Sequence, residues 1–254
     1  MSATGKLSFT LITVCWNAAE TIGRTIQSVA SQSILPAEYI FVDGGSSDCT
    51  TGIISASTPW LESSGVRVRL RQQQRLPGQA GITSAWNQAL REATGDIIAI
   101  LNADDCYLPD ALQRVHDAFA ADDSVDAVAG AISWHDEQGH DLGCFRPRPL
   151  RLLPYLMPVP HPACFFRRRL YQSIGEYDAS YRLSADYDFV WRAVRSHCKW
   201  RFLDDTLVAM QAGGAANANR GRARRETYRI ARRHLPWYDP RPLLALVARI
   251  ITRR

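Results

Sequence analysis

Two adjacent carboxylates stand between an apolar run and a helix start in the stretch AILNADDCYLPDAL, residues 99–112. Neighbouring negative charges at the end of a buried strand repel each other and are costly to desolvate unless a positive group offsets them. Asp104 is suited to hold a divalent cation, Mg²⁺ or Mn²⁺, which usually keeps some water and binds through one or two carboxylates and substrate phosphates. Alternatively, Asp104 and Asp105 only cap the helix, although Pro109 at the first helical position puts Leu108 or Tyr107 nearer the cap.

Polar groups also follow two other apolar runs. Trp16 and Asn17 follow the first run, and Asp43 with Gly44 follows the second. Because ligands of open α/β sheets bind at the carboxyl ends of the strands, these groups should converge on one crevice. The glycine would let the backbone approach a flat or ribose-like ligand, and the tryptophan offers a stacking face. Each feature also has a structural interpretation, a tight turn for Asp43 and a core position for Trp16.

The elements that must position these groups alternate between short apolar runs and helical patterns. This order predicts βαβ units around a largely parallel sheet. The predicted strands are 9–16, 38–43, 66–72, 96–101 and 124–130. The predicted helices are 18–32, 81–95, which Gly95 closes, and 108–120.

The second half is less regular. Residues 144–162 contain six prolines, which predicts an ordered connecting loop rather than a helix. A strand at ACFF, a short helix, a helix beginning at DYDFVWRAV and a strand pair near KWRFLDDTLVAM are predicted after it.

Composition restricts the class of protein. The chain has 254 residues, of which 46% are hydrophobic and 22% charged, enough for one large core. The six cysteines lack CxxC or zinc-ligand spacing, and no signal peptide precedes the first strand, which predicts reduced thiols in a cytoplasmic protein. No apolar run approaches the ~20 residues that cross a bilayer.

The net charge of +5 is unevenly distributed. Residues 220–254 carry eleven arginines against Glu226 and Asp239, so the rest of the chain is net negative and no nucleic-acid partner is expected. The last helical pattern either packs on the main domain or contacts an anionic membrane through residues 222–254. Its apolar stripe is Leu243, Val247, Ile250 and Ile251.

Four stretches together resemble the successive motifs of family 2 glycosyltransferases, in that family's order over about residues 8–215. They are ITVCWNAAETIGRTIQSVASQS, YIFVDGGSSDCT, NQALREATGDIIAILNADDCYLPDAL and HPACFFRRRLYQSIGEYDASYRLSADYDF. The resemblance implies the GT-A fold, a Rossmann-like, mostly parallel α/β sheet flanked by helices. It implies a catalytic domain at 1–215, with a nucleotide-binding half at about 1–130 and an acceptor half at about 131–215, and a basic helical extension at 216–254.

The resemblance also implies roles for individual residues. Asp43 would bind the nucleotide base, Trp16 would stack on it, and Asn102, Ala103 and Asp104 would form the DXD motif, with Asp104 as the metal ligand. The further donor contacts implied are Val14, Asn17, Gly44, Asn87 and Asp105. His161 matches a histidine near the diphosphate or metal, although a lone histidine is more often structural.

Asp186, in SADYDF, would be the catalytic base. Asp186 and Asp188 are two residues apart and cannot share one helical face, so one should point to the site and the other to scaffold or solvent. The family pattern selects Asp186, whereas the spacing alone does not.

The implied reaction is an inverting transfer from a UDP-, GDP- or dTDP-sugar to a saccharide or lipid-linked saccharide. A metal ion would neutralise the diphosphate that leaves, and a second carboxylate would deprotonate the acceptor hydroxyl. The sequence lacks QxxRW, which disfavours a processive synthase, and the DXD motif begins with Asn102 instead of aspartate. The expected location is the cytoplasm, and the alternative is peripheral association with the inner face of the cytoplasmic membrane.

Two other functions are weighed against this one. A sugar nucleotidylyltransferase would need a glycine-rich loop after the first strand, where NAAETIG stands instead. A non-catalytic nucleic-acid or membrane-binding module would leave the ordered acidic motifs unexplained, because an acidic cleft repels phosphates unless a metal intervenes.

Overall fold

A computed structural model of the chain describes residues 7–74, 81–136, 138–211 and 219–251. The strands are β1 (Phe9–Cys15), β2 (Glu38–Asp43), β3 (Arg67–Gln72), β4 (Ile97–Ile100), β5 (Cys106–Tyr107), β6 (Ala127–His135), β7 (Asp141–Phe145), β8 (Cys164–Arg167) and β9 (Trp200–Gln211). The helices are α1 (Ile22–Ala30), α2 (Thr50–Ser63), α3 (Gly81–Glu92), α4 (Ala111–Ala120), α5 (Arg168–Ile174), α6 (Ala185–Arg195), α7 (Arg220–His234) and α8 (Arg241–Ile251).

The first four strands form the predicted parallel sheet, in the order β3-β2-β1-β4. Cys15 of β1 pairs with Asp43 of β2, and Ile12 pairs with Ile100 of β4. The carboxyl ends of β1, β2 and β4 therefore lie at one edge of the sheet. The α/β prediction and the convergence of the three strand ends are confirmed.

The sheet continues without interruption into the second half of the chain, in the order β4-β8-β6-β9-β5, with β7 beside β6. Strand β8 runs antiparallel to β4, and Ala99 pairs with Phe165. Because of this direction, β8 begins where β4 ends, and Cys164 lies at the same edge as the three carboxyl ends.

Apolar layers cover both faces of the sheet. Helices α1, α2 and α4 pack on one face, and α3, α5, α6 and α7 pack on the other. Strands β1, β2 and β4 are buried along their whole length, as strands covered on both faces should be. Helix α7 contributes Ile230 and Ala231 to the second layer, so this part of the basic extension packs on the sheet side of the molecule. The predicted boundary at 215/216 lies outside the described residues.

Helix α2 and strand β9 differ from the sequence prediction, and the short strands β5 and β7 were not predicted. Helix α2 was not predicted, because TTGIISASTPWLES is rich in weak helix formers and buries only Thr50, Ile54 and Leu61. The predicted strand pair near 199–210 is one strand, β9. Residues Phe202 to Thr206 of β9 lie opposite Ala129 to Ala131 of β6. A bulge therefore accommodates the polar LDD sequence that suggested a turn.

Gly95 has a different role from the predicted helix closure. Helix α3 ends at Glu92, and Gly95 instead lies against β1, where its N–H donates to Thr10 Oγ1 at 2.9 Å. A Cβ atom at Gly95 would lie 2.7 Å from Thr10 N and 2.9 Å from the carbonyl carbon of Phe9. These are backbone atoms of a buried strand, so there is no flexible side chain to move away.

We therefore expect Gly95→Ala to destabilise the protein by about 1–3 kcal/mol, the usual range for overpacking. Gly52→Ala is the matched control, because a Cβ atom there meets nothing within 4 Å and lies in helix α2. That control should be neutral or stabilising by about 0.5–1 kcal/mol. Urea unfolding measures both, and equal stability of the two variants would contradict the packing argument.

Candidate active site

The carboxylate of Asp43 organises the turn that follows β2. It is 5% exposed and accepts hydrogen bonds from the backbone N–H groups of Gly45 and Ser46, both at 2.9 Å, and from the Ser46 hydroxyl. The turn interpretation of Asp43 is therefore realised in the structure. Gly44 permits a close approach, because a Cβ atom there would lie 3.3 Å from Trp16 Cβ. The contact of Asp43 with a nucleotide base stays a prediction.

The loops that follow β1 and β2 are joined by side chains. Asn17 has a φ of 48°, its N–H donates to Ser46 Oγ, and its Oδ1 accepts from the N–H of Ser47. Asp48 accepts from the N–H of Ala19 at 3.0 Å. These bonds make one rigid rim at the end of the two strands.

Trp16 lies on this rim with 67% of its surface exposed, so the alternative that it belongs to the core is wrong. Its ring is available for stacking, as the resemblance implies.

The acidic motif after β4 divides into an exposed and a buried carboxylate. Asp105 is 1% exposed and accepts from Asn102 Nδ2 at 2.8 Å and from the backbone of Gln211. Burial, with the charge of Asp104 adding to it, raises the pKa of Asp105 to about 8. Asp104 is open to solvent, although the protein atoms around it partly desolvate its carboxylate and raise its pKa.

Neither carboxylate caps helix α4, so the capping alternative is wrong. The helix begins at Ala111 and its N-cap position is Asp110, with a φ of 61° and no side-chain cap hydrogen bond. The exposed oxygens of Asp104 are of the type that Mg²⁺ and Mn²⁺ prefer. In the described ranges no three His, Cys, Asp or Glu side chains are arranged to hold a metal ion. A cation at Asp104 would therefore take its other ligands from water and a phosphate-bearing molecule, a donor set that fits these ions.

Asp186 lies in the first turn of helix α6, close to Cys164, which opens β8 at this edge of the sheet. Its Oδ1 accepts from the N–H of Tyr187 at 2.8 Å, and its charge raises the pKa of the buried Cys164 thiol, which opens β8. Burial raises the pKa of Asp186 to about 6. The carboxylate is therefore mostly ionised near pH 7 and basic enough to accept a proton.

Asp188, by contrast, belongs to the scaffold. It is 1% exposed and pairs with Arg192 at 2.8 Å and with His234 Nε2 at 3.1 Å. The two carboxylates of DYD thus have the different environments that their spacing predicts.

His161 and Asn87 are buried beneath this part of the site. His161 is 7% exposed, its Nε2 lies 2.8 Å from the Tyr177 hydroxyl, and its ring packs on Trp86 at 5.1 Å. Burial lowers the pKa of His161 to about 4, so the imidazole is neutral near pH 7. These contacts are typical of a structural histidine, and metal ligation by His161 stays a prediction.

Asn87 uses both ends of its amide on the backbone of Tyr177, at 2.8 and 3.1 Å. It thereby ties α3 to the segment that leads to Asp186. Val14 and Ala103 are buried, with the Ala103 carbonyl accepting from Thr25 Oγ1. The donor contacts of these residues stay predictions.

A family model described as Glycosyl transferase family 2 matches residues 10–175. The chain belongs to this family. It is accordingly a glycosyltransferase of the kind that uses nucleotide sugars, with the GT-A fold.

Relatives and solved structures agree with this assignment. A PGL/p-HBAD biosynthesis glycosyltransferase of Mycobacterium bovis is 31% identical over 182 residues, 71% of this chain and 67% of the relative. A fragment of Staphylococcus aureus TarS in complex with UDP-GlcNAc has a TM-score of 0.66 at 18% identity and 90% coverage of this chain. The match spans 65% of that fragment and 39% of the longer TarS chain.

The mannosyltransferase PcManGT from Pyrobaculum calidifontis, in complex with GDP-Man and Mn²⁺, also has a TM-score of 0.66. It is 20% identical, and the match covers 98% of this chain and 76% of that one. At these identities the two structures show the fold alone.

Three residues near the site of this glycosyltransferase were missed by sequence reasoning. Gln211 bonds to Asp105, Tyr177 bonds to His161, and Glu226 accepts from the backbone just before α6. Each acts across more than ten positions of sequence, so no local pattern marks it. Glu226 was counted only as a charge of the basic extension.

The buried Asp105 makes stability depend on pH. Its pKa is about 8 in the folded state and near 3.8 when unfolded, so between these values the folded state holds more protons. The contribution of Asp105 to stability is therefore lost as the pH rises through this window. We expect Asp105→Asn, which can still accept from Asn102, to remove that loss.

Urea unfolding in a metal-free, chelator-containing buffer at about pH 5 and about pH 8 measures the effect. The wild type should lose more stability than the variant between the two conditions. An identical pH dependence in both proteins would show that Asp105 is ionised throughout.

Proposed function

We propose that this glycosyltransferase transfers a sugar, with inversion, from a nucleotide diphosphate sugar to a saccharide or lipid-linked saccharide acceptor, in a metal-dependent, non-processive reaction. One observation carries the proposal. The exposed carboxylate of Asp104 follows β4, and the carboxylate of Asp186 in α6, whose pKa is raised, lies close to Cys164 at the start of the neighbouring strand β8. A leaving diphosphate and an attacking hydroxyl need opposite sides of one sugar, and this arrangement can serve both.

The donor nucleotide is assigned to the rim formed by the loops after β1 and β2. Trp16 stacks on the base, Asp43 binds it, and Asn17 and Gly44 shape the surface on which it lies. The solved relatives named with UDP-GlcNAc and with GDP-Man support a nucleotide sugar, and the donor belongs to the UDP, GDP or dTDP class.

Asp104 is assigned as the residue that holds Mg²⁺ or Mn²⁺, with Asn102 beside it directed to the donor. When bound, the ion supplies positive charge that neutralises the leaving diphosphate. Asp105 supports the motif from below through its bond with Asn102. Because Asp105 is buried, it is not expected to contact the ion.

Asp186 is assigned as the general base. It takes the proton of the acceptor hydroxyl as the new bond forms at the anomeric carbon and the bond to the diphosphate breaks on the opposite face. Its pKa of about 6 keeps it ionised and basic near neutral pH. General-base catalysis of this kind typically contributes ~10²–10⁴-fold.

The test of the base is Asp186→Asn. We expect turnover to fall at least ~10²-fold while donor affinity is nearly preserved, because the base acts only in the transition state. A thermal-shift panel of UDP-, GDP- and dTDP-sugars with Mn²⁺ selects the donor, and its hydrolysis to free sugar is then measured.

Asp104→Ala is the matched variant with the opposite profile. In calorimetry it should lose the Mn²⁺-dependent part of donor binding, whereas Asp186→Asn should retain it. Full activity of Asp186→Asn would show that Asp186 is not the base. Donor binding that does not depend on Mn²⁺ in the wild type would contradict the proposed role of the metal.

We also propose that residues 222–254 contact an anionic membrane surface from the cytoplasmic side. The apolar stripe of α8 is exposed, with Leu243 at 53%, Val247 at 44% and Ile250 at 55%, and Trp237 is 82% exposed. The opposite side of α8 packs on α7, whose exposed side carries arginines at 222, 225, 229 and 233. In the described residues no helix is long and apolar enough to cross a bilayer. An apolar stripe beside basic residues is typical of a helix that lies in the membrane interface.

The double variant Trp237→Ala/Leu244→Glu tests the membrane contact. We expect its binding to phosphatidylglycerol vesicles to fall at least about tenfold, because it removes the exposed apolar area of Trp237 and adds a charge at Leu244, which is exposed next to Leu243 of the stripe. The control is Trp60→Ala/Leu142→Glu. Leu142 and Leu244 are each 58% exposed, and Trp60 is 44% exposed on another part of the surface. Equal sedimentation of the two variants would contradict the assignment.

A further inference from the structure

The segment that carries Asp186 is held by the C-terminal helix α7. Ser184 occupies the N-cap position of α6, and its hydroxyl makes no cap hydrogen bond to that helix. The carboxylate of Glu226 in α7 instead accepts from three successive backbone N–H groups. They belong to Arg182 at 3.2 Å, Leu183 at 2.8 Å and Ser184 at 3.1 Å.

Glu226 is suited to this contact by its position. It is 5% exposed, and α7 presents it as a single acid among arginines, with its Oε1 also paired to Arg222 at 3.1 Å. A buried carboxylate that accepts several backbone N–H groups makes strong, charge-assisted bonds. It therefore fixes the backbone immediately before Asp186, which is two residues beyond Ser184.

Two further contacts hold the same region against α7. Arg233 pairs with Asp178 at 3.1 Å, and His234 pairs with Asp188 at 3.1 Å. The ring of His234 stacks on Trp191 with an interplanar angle of 1°. The segment before α6 and the first turns of that helix are thus fixed from several directions by one helix.

We propose that Glu226 is a positioning residue for Asp186, and that α7 is therefore part of the catalytic apparatus and not only a surface extension. The inference rests on the proposed role of Asp186 as the base. Glu226 touches neither donor nor acceptor; it orients the turn from which the base reaches the acceptor hydroxyl. A small displacement of a base from its productive geometry lowers the rate strongly. The hydrogen bonds of Glu226 to the backbone of residues 182–184 should therefore affect turnover more than donor binding.

The charge of Glu226 also acts on the base. The titratable groups that face Asp186 include Glu226 from α7, the Cys164 thiol from β8 and the Tyr177 hydroxyl from the loop before α6. Burial raises the pKa values of Cys164 and Tyr177 well above their ordinary values, so both are neutral near pH 7. Glu226 contributes a negative charge, which raises the pKa of Asp186.

Two substitutions of Glu226 separate the effect of its hydrogen bonds on the position of Asp186 from the effect of its charge on the pKa of Asp186. Glu226→Gln removes the charge and leaves one oxygen for three N–H groups. Glu226→Asp keeps the charge but withdraws both oxygens by one methylene. The control is Glu92→Gln, which removes a carboxylate paired with Arg69 and Arg71 on the far end of α3. All are measured in the full chain with UDP-GlcNAc and GDP-mannose in the presence of Mn²⁺.

We expect both Glu226 variants to lose at least about tenfold in donor hydrolysis with the donor KM within about twofold. The acid limb of the rate profile should move to lower pH in Glu226→Gln, because the pKa of Asp186 falls when the negative charge is removed, and it should stay in place in Glu226→Asp. The amides of residues 182–184 should exchange hydrogen at least about tenfold faster in both. Glu92→Gln should match the wild type in every measurement.

The outcomes separate this inference from the proposed function. If Asp186→Asn is inactive and the Glu226 variants behave like Glu92→Gln, the positioning role of Glu226 is wrong and the assignment of Asp186 as the base is retained. If Asp186→Asn is fully active, the base assignment itself fails. Hydrogen exchange remains informative in a variant with no measurable activity. Unchanged protection of the amides of residues 182–184 would contradict the positioning role of Glu226.

Discussion

The structure depends on how it accommodates negative charge at the carboxyl edge of its sheet. Carboxylates at the ends of buried strands repel one another and lose hydration. In this protein each of these carboxylates has different surroundings. Asp43 is satisfied by the N–H groups of its own turn, and Asp105 is raised in pKa to about 8 beneath Asn102. Asp104 stays open to solvent. Of these three side chains only Asp104 is exposed, so it is the one that a cation can approach from solvent.

The location of this edge was predictable from the sequence, whereas its supports were not. Strand ends can be read from apolar runs, and parallel order follows from βαβ alternation, so Trp16, Asp43 and Asp104 were placed correctly. Helix α2 was missed because its residues are weak helix formers that packing alone stabilises. The bulge in β9 depends on pairing with β6, which no local pattern encodes.

The basic extension shows why composition alone is a poor guide to role. Its positive charge gave no sign of a buried role for Glu226, yet helix α7 places Ile230 in the core and Glu226 against the backbone before α6. The arginines on the exposed side and the buried acid on the inner side belong to the same helix. One helix can therefore expose basic residues on one side and hold the neighbouring elements with the other.

Environment also explains how Asp104 and Asp186, the proposed metal ligand and the proposed general base, could perform different chemistry. A metal ligand must remain ionised and accessible, and Asp104 is exposed. A general base must be ionised yet basic, and partial burial brings the pKa of Asp186 to about 6. Glu226 contributes to that basicity through its charge and holds the preceding backbone through its hydrogen bonds. The carboxylate of Glu226 therefore acts on both the proton affinity and the position of the proposed base.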